Sequence, residues 1–96
     1  MSRIDWTERA RGDLRAIHTY IARDSKRYAD GVISRIKART RRLRAWPLSG
    51  AIVPEWNTPD LREVYSGQYR VIYRAESDRV LILTVLHGAR SFPEQP

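Results

Sequence analysis

Cysteine is absent from this chain, and His, Met and Phe are scarce: two histidines, one methionine and one phenylalanine among 96 residues. Without thiols there is no disulfide staple, no thiol nucleophile and no thiolate metal site. His18 and His87 are too few for an ordinary zinc centre without cysteine, so neither a metal nor a cofactor is expected. Long apolar runs are missing as well. The longest, Val80 to Leu83, falls far short of the roughly 20 residues that cross a bilayer. The opening Met1-Ser2-Arg3-Ile4-Asp5-Trp6 meets an acid early and lacks the apolar core of a secretory signal. The expectation is a cytoplasmic protein with no membrane association. Glycine and proline number five each, with 42% hydrophobic and 30% charged residues, which is globular rather than disordered composition. At this length residues 1–96 make one domain.

Acidic residues are also in short supply. Eleven Asp and Glu face eighteen Lys and Arg, for a net charge of +7. The excess is lopsided: residues 1–46 carry thirteen basic and five acidic side chains, residues 47–96 five and six. Such a balance calls for a polyanionic partner, either nucleic acid or an acidic protein. Arginine dominates, since Lys26 and Lys37 are the only lysines.

Ile4 to Trp6 reads as a short strand. Thr7 then offers an N-cap oxygen and Glu8 a favourable first-turn charge. Ala10, Leu14, Ile17 and Ile21 recur on one face of a helix, with Gly12 a mild defect within it. After a break at Arg23-Asp24-Ser25-Lys26, capped by Ser25 or Asp24, a second helix buries Tyr28 or Ala29 together with Val32, Ile36 and Leu43. Its outer face carries Arg35, Lys37, Arg39, Arg41, Arg42 and Arg44, and Pro47 ends it. The short break predicts an antiparallel helical hairpin over about 7–46. Residues 47–60 read as loop, punctuated by Gly50, Pro54, Asn57 and Pro59. The period then becomes two. Strands are expected at 61–66, 69–75 and 79–87, joined by turns at Gly67-Gln68 and Glu76-Ser77-Asp78, before a tail at 88–96. The last strand is apolar on both faces and so belongs inside the sheet. The order β-α-α-β-β-β predicts an α+β fold, a helical hairpin on one face of a small antiparallel sheet.

The run from Leu61 through Gly67-Gln68-Tyr69-Arg70-Val71-Ile72-Tyr73 to Arg74 resembles the RelE/ParE toxin superfamily of type II toxin–antitoxin systems. The ending Val85-Leu86-His87-Gly88-Ala89-Arg90 resembles the ParE branch in particular. The resemblance implies a growth-inhibiting toxin, held silent by an acidic, partly disordered antitoxin in a hetero-oligomeric complex. ParE-type members act on DNA gyrase by binding; RelE-type members cut messenger RNA on the ribosome.

Metal-free RNA cleavage needs a base, a proton donor and cations around the phosphate. RelE-like nucleases supply these with sheet lysines, arginines and a late tyrosine. Here the sheet has no lysine and nothing after Tyr73 is a tyrosine. Glu63, Arg70, His87 and Arg90 are the residues left for a nuclease, which makes that reading the alternative to gyrase binding. A plain basic nucleic-acid-binding module is a third. In the gyrase reading Arg62, Arg70, His87 and Arg90 face the target, while Arg35, Arg39, Arg41 and Arg42 meet the antitoxin. Each has a structural counterpart: Arg70 can pair with Glu63 or Glu76 across the sheet, His87 can end the strand as a hydrogen-bonded residue, and the arginine row can be a solvated face. Truncating Arg70 is expected to leave the fold intact. His18 is expected to be inert, and Trp46 and Trp56 to lie as lids over the core.

Overall fold

In the computed structural model, which describes residues 2–88, Thr7 joins the first strand, β1 (Arg3–Trp6), to the first helix, α1 (Glu8–Ala22). Its Oγ1 accepts from the Ala10 N–H at 3.0 Å and donates to the Leu83 carbonyl, so one hydroxyl caps the helix and ties it to the sheet. Ser25, not Asp24, caps the second helix, α2 (Lys26–Arg41), by accepting from the Tyr28 N–H. A single 3₁₀ turn, Arg42–Arg44, tightens its end. Ala29 is buried and Tyr28 is 60% exposed, which settles which of the two faces inward.

Four further strands complete the sheet: β2 (Ala51–Ile52), β3 (Leu61–Ser66), β4 (Tyr69–Ala75) and β5 (Arg79–His87). Their spatial order is β1-β5-β4-β3-β2. The fold is α+β, two helices on a mostly antiparallel sheet, with two departures from expectation. First, β1 pairs parallel with β5, because the helical hairpin carries the chain back over the sheet before the last strand runs alongside the first. Flanked by β1 and β4, β5 has the interior place that its two apolar faces require. Second, β2 pairs with β3 inside the expected loop; two residues are too few to show an alternating pattern.

The main core lies between the helices and the front of the sheet. Leu14, Val32, Ile36 and Leu43 meet Val64, Val71, Tyr73, Val80, Ile82 and Val85 there. A smaller core of Val53, Leu61 and Ile72 lies on the back, with Trp56 and Leu83 packed against it. Trp56 therefore is a lid, but Trp46 is 67% exposed and covers nothing of the kind. Between β4 and β5 the register shifts, so that Ile72 faces Thr84 while Tyr73 faces Ile82 and Leu83 is the extra residue. Asp13 of α1 answers the bulge by accepting from both the Thr84 hydroxyl and the Val85 N–H. No helix among the described residues is long and apolar enough to cross a membrane.

Candidate functional site

Residues opposite one another in the sheet share a face, which decides which candidate side chains can meet. Tyr65 faces Arg70 and Glu63 faces Ile72, so Glu63 and Arg70 both point to the back. There the Arg70 Nε donates to Glu63 Oε1 at 2.9 Å, and Nη2 reaches the same oxygen. The guanidinium fork also donates bidentately to Glu55, Nη1 to Oε2 and Nη2 to Oε1, each at 3.0 Å. The Arg70 side chain is only 5% exposed. Its hydrogen bonds to Glu55, then those to Glu63, hold its pKa above the ordinary arginine value against the opposing effect of burial. Glu55 comes from the 53–60 loop, where Trp56 and Asn57 donate back to the Val53 carbonyl and Asn57 takes a left-handed φ of +45°. The cluster fastens that loop over the back core.

Arg62 points to the front and fastens the other end of the same connection. Its Nε donates to the Pro59 carbonyl at 2.8 Å, and Nη1 to the carbonyls of Leu48 and Gly50. Tyr73 adds to this anchorage: its hydroxyl donates to the Pro47 carbonyl at 2.7 Å and accepts from the Gly50 N–H at 3.0 Å. A side chain at Gly50 would stand 2.6 Å from both the Tyr73 hydroxyl and the Glu63 carbonyl, so only glycine fits. Burial pushes the Tyr73 hydroxyl pKa up.

His87, facing Tyr69, lies on the front at the exposed end of β5. It packs edge-on against the Tyr69 ring, with centroids 5.8 Å apart, and its Nε2 is 3.3 Å from the Gln68 Oε1. Of the four residues named for a nuclease, the structure thus brings Glu63 and Arg70 together and sets His87 across the sheet from them. Arg90 lies outside the described residues. Among the described residues no three His, Cys, Asp or Glu side chains cluster where a metal ion could sit.

The basic residues of α2 divide between its two flanks. Lys37 and Arg41 join Arg11 and Arg15 of α1 along the rim of a groove of about 730 Å³ whose floor is Ile4, Trp6, Leu14 and Ile33. Arg35, Arg39 and Arg42 stand on the other flank, at spacings of four and three. Of the four arginines expected to meet an antitoxin, only Arg41 lines the groove. Arg11 and Arg15 were legible only as an i,i+4 pair next to Leu14. His18, at the groove, does more than expected: its Nε2 is 2.6 Å from Asp30 Oδ1, bridging the two helices, and Asp30 also accepts from Lys26.

A family model described as ParE toxin of type II toxin-antitoxin system, parDE, matches residues 4–92. Among solved structures the chain is similar to one from the chromosomal ParDE toxin–antitoxin system of P. aeruginosa, with a TM-score of 0.75. That likeness covers 91% of this chain and 96% of the other at 22% identity, and it speaks for a shared fold. No curated protein matches.

Proposed function

Because this chain belongs to the ParE toxin family of type II toxin–antitoxin systems, we propose that it arrests growth by binding DNA gyrase in the cytoplasm and that an acidic antitoxin silences it. The observation that carries the antitoxin half is the groove between the helices. An apolar floor with four cations along its rim fits an amphipathic acidic helix, which would bury its apolar side and neutralise the rim together. Such a segment, disordered alone, would fold on docking and yield a hetero-oligomeric complex.

For gyrase we assign the contact to His87 at the exposed end of β5 and to Arg90 beyond it. Arg62 and Arg70 instead hold the 47–60 connection. The ribosomal nuclease alternative draws less support, because Glu63 is committed to the buried Arg70 and His87 lies on the opposite face. The test is ATP-dependent supercoiling of relaxed plasmid by purified gyrase, titrated with the toxin freed of its antitoxin. Loss of supercoiling with linear DNA accumulating is expected. Full supercoiling at high excess of a folded toxin that still arrests growth would overturn the gyrase assignment.

A further inference from the structure

The flank of α2 that turns away from the groove has charge without an apolar floor. Arg35, Arg39 and Arg42 form one stripe along the helix and its 3₁₀ extension, with Gly31 and Ala38 as their small neighbours. Tyr28, seven residues before Arg35, is on the same stripe, and the Arg35 guanidinium lies 6.0 Å from its ring centroid. Among the described residues no carboxylate pairs with Arg35, Arg39 or Arg42. The sequence supplies none nearby: from Gly31 to Pro54 there is neither Asp nor Glu.

We propose that this stripe is a docking surface for the phosphate backbone of duplex DNA. Repulsion along a row of cations with no internal partner is relieved by an external polyanion. The chemistry of the row favours phosphate over an acidic protein. A helical or extended peptide needs somewhere to put apolar side chains, and that place is the groove on the other flank. The stripe instead offers guanidinium forks, which match phosphate oxygens in bidentate geometry. From Arg35 to Arg42 it runs about 10 Å, the rise of about three phosphates on one strand. Standing on a helix, with Arg35 braced on Tyr28, these charges keep a fixed spacing. DNA binding at the stripe does not depend on gyrase being the target.

The test is fluorescence anisotropy of an arbitrary duplex of about 20 base pairs, titrated with the full chain across a range of salt. R35E/R42E is compared with K37E/R41E, which changes the net charge equally but on the groove flank. Reversal on the stripe is expected to weaken binding by about tenfold or more and to flatten the slope of log K against log salt by about two, while reversal at the groove costs less than about threefold. Circular dichroism checks folding, and R35Q/R42Q, which removes charge without reversing it, repeats the comparison. Equal losses in the two variants would reduce the effect to net charge and overturn the proposal. So would unchanged binding on stripe reversal, or a polyglutamate peptide competing for the stripe as tightly as DNA of equal length. If gyrase is unaffected but the stripe-specific loss of DNA binding persists, this inference stands and the gyrase reading falls; the opposite pair of results does the reverse.

Discussion

Replacing Arg70 would remove the guanidinium that bridges Glu55 and Glu63 and take from the nearly buried Glu63 carboxylate the cation that it accepts from. Breaking such a buried pair from one side costs about 3–5 kcal/mol, a large share of a small domain's stability. Arg70→Met is therefore expected to lower unfolding stability by about 3–5 kcal/mol in urea, and Glu55→Gln, at the more exposed end of the cluster, by about 1 kcal/mol. Unchanged urea midpoints in both variants would return Arg70 to the role of a contact residue. This reverses the expectation that its truncation leaves the fold intact. The pairing of Arg70 with Glu63 was legible, since both alternate onto one face of adjacent strands. Glu55 was not, because it stands in a connection with no periodicity, placed by a turn that depends on Asn57 and on contacts across the sheet.

Among the elements, the helical hairpin is where the local code was strongest. Thr7 and Ser25 bond to the N–H three residues on, as their positions before an apolar period require. Tyr28 and Ala29 are consecutive, about 100° apart around the helix, and either can start the apolar stripe of Val32 and Ile36, so periodicity left them open until packing buried the smaller one. The parallel β1–β5 pair and the Leu83 bulge were invisible for another reason: strand neighbours and register are set by contacts far apart in sequence, and a bulge answered by Asp13 leaves no local pattern. The same limit hid the groove, whose floor comes from three separate elements and whose rim joins two helices. Once assembled, it divides the arginine row into two surfaces with separate consequences. K37E/R41E is expected to weaken antitoxin binding by about tenfold or more, through two lost attractions and two new repulsions at the rim. R35E/R42E is expected to leave antitoxin affinity within about threefold by the same reckoning. Calorimetric titration of each variant with the purified antitoxin decides the matter, and equal losses would mean that the antitoxin spans both flanks.

For the molecule as a whole, eleven acidic side chains temper the mutual repulsion of eighteen basic ones, so stability should follow the ionisation of those acids that bridge separate elements. Asp5 on β1 joins Arg3 to Arg79 on β5, and its pKa is lowered first by the Arg3 hydrogen bond and then by that of Arg79. Asp30 on α2 joins His18 on α1 to Lys26, and its pKa is lowered first by His18 and then by Lys26. A carboxylate whose folded pKa lies below its unfolded value near about 3.9 contributes its full stability above that pH, and loses it as pH falls through the folded value. Protonation also raises a net charge that is already +7, so repulsion grows while the bridges that oppose it disappear. Thermal unfolding should therefore fall below about pH 4, as these two carboxylates take up protons. D5N/D30N should start with a lower midpoint at neutral pH and lose less on acidification, so that the two curves converge in acid. Parallel curves would show that neither bridge couples folding to protons, and would leave the acid sensitivity of this cationic chain to its remaining carboxylates.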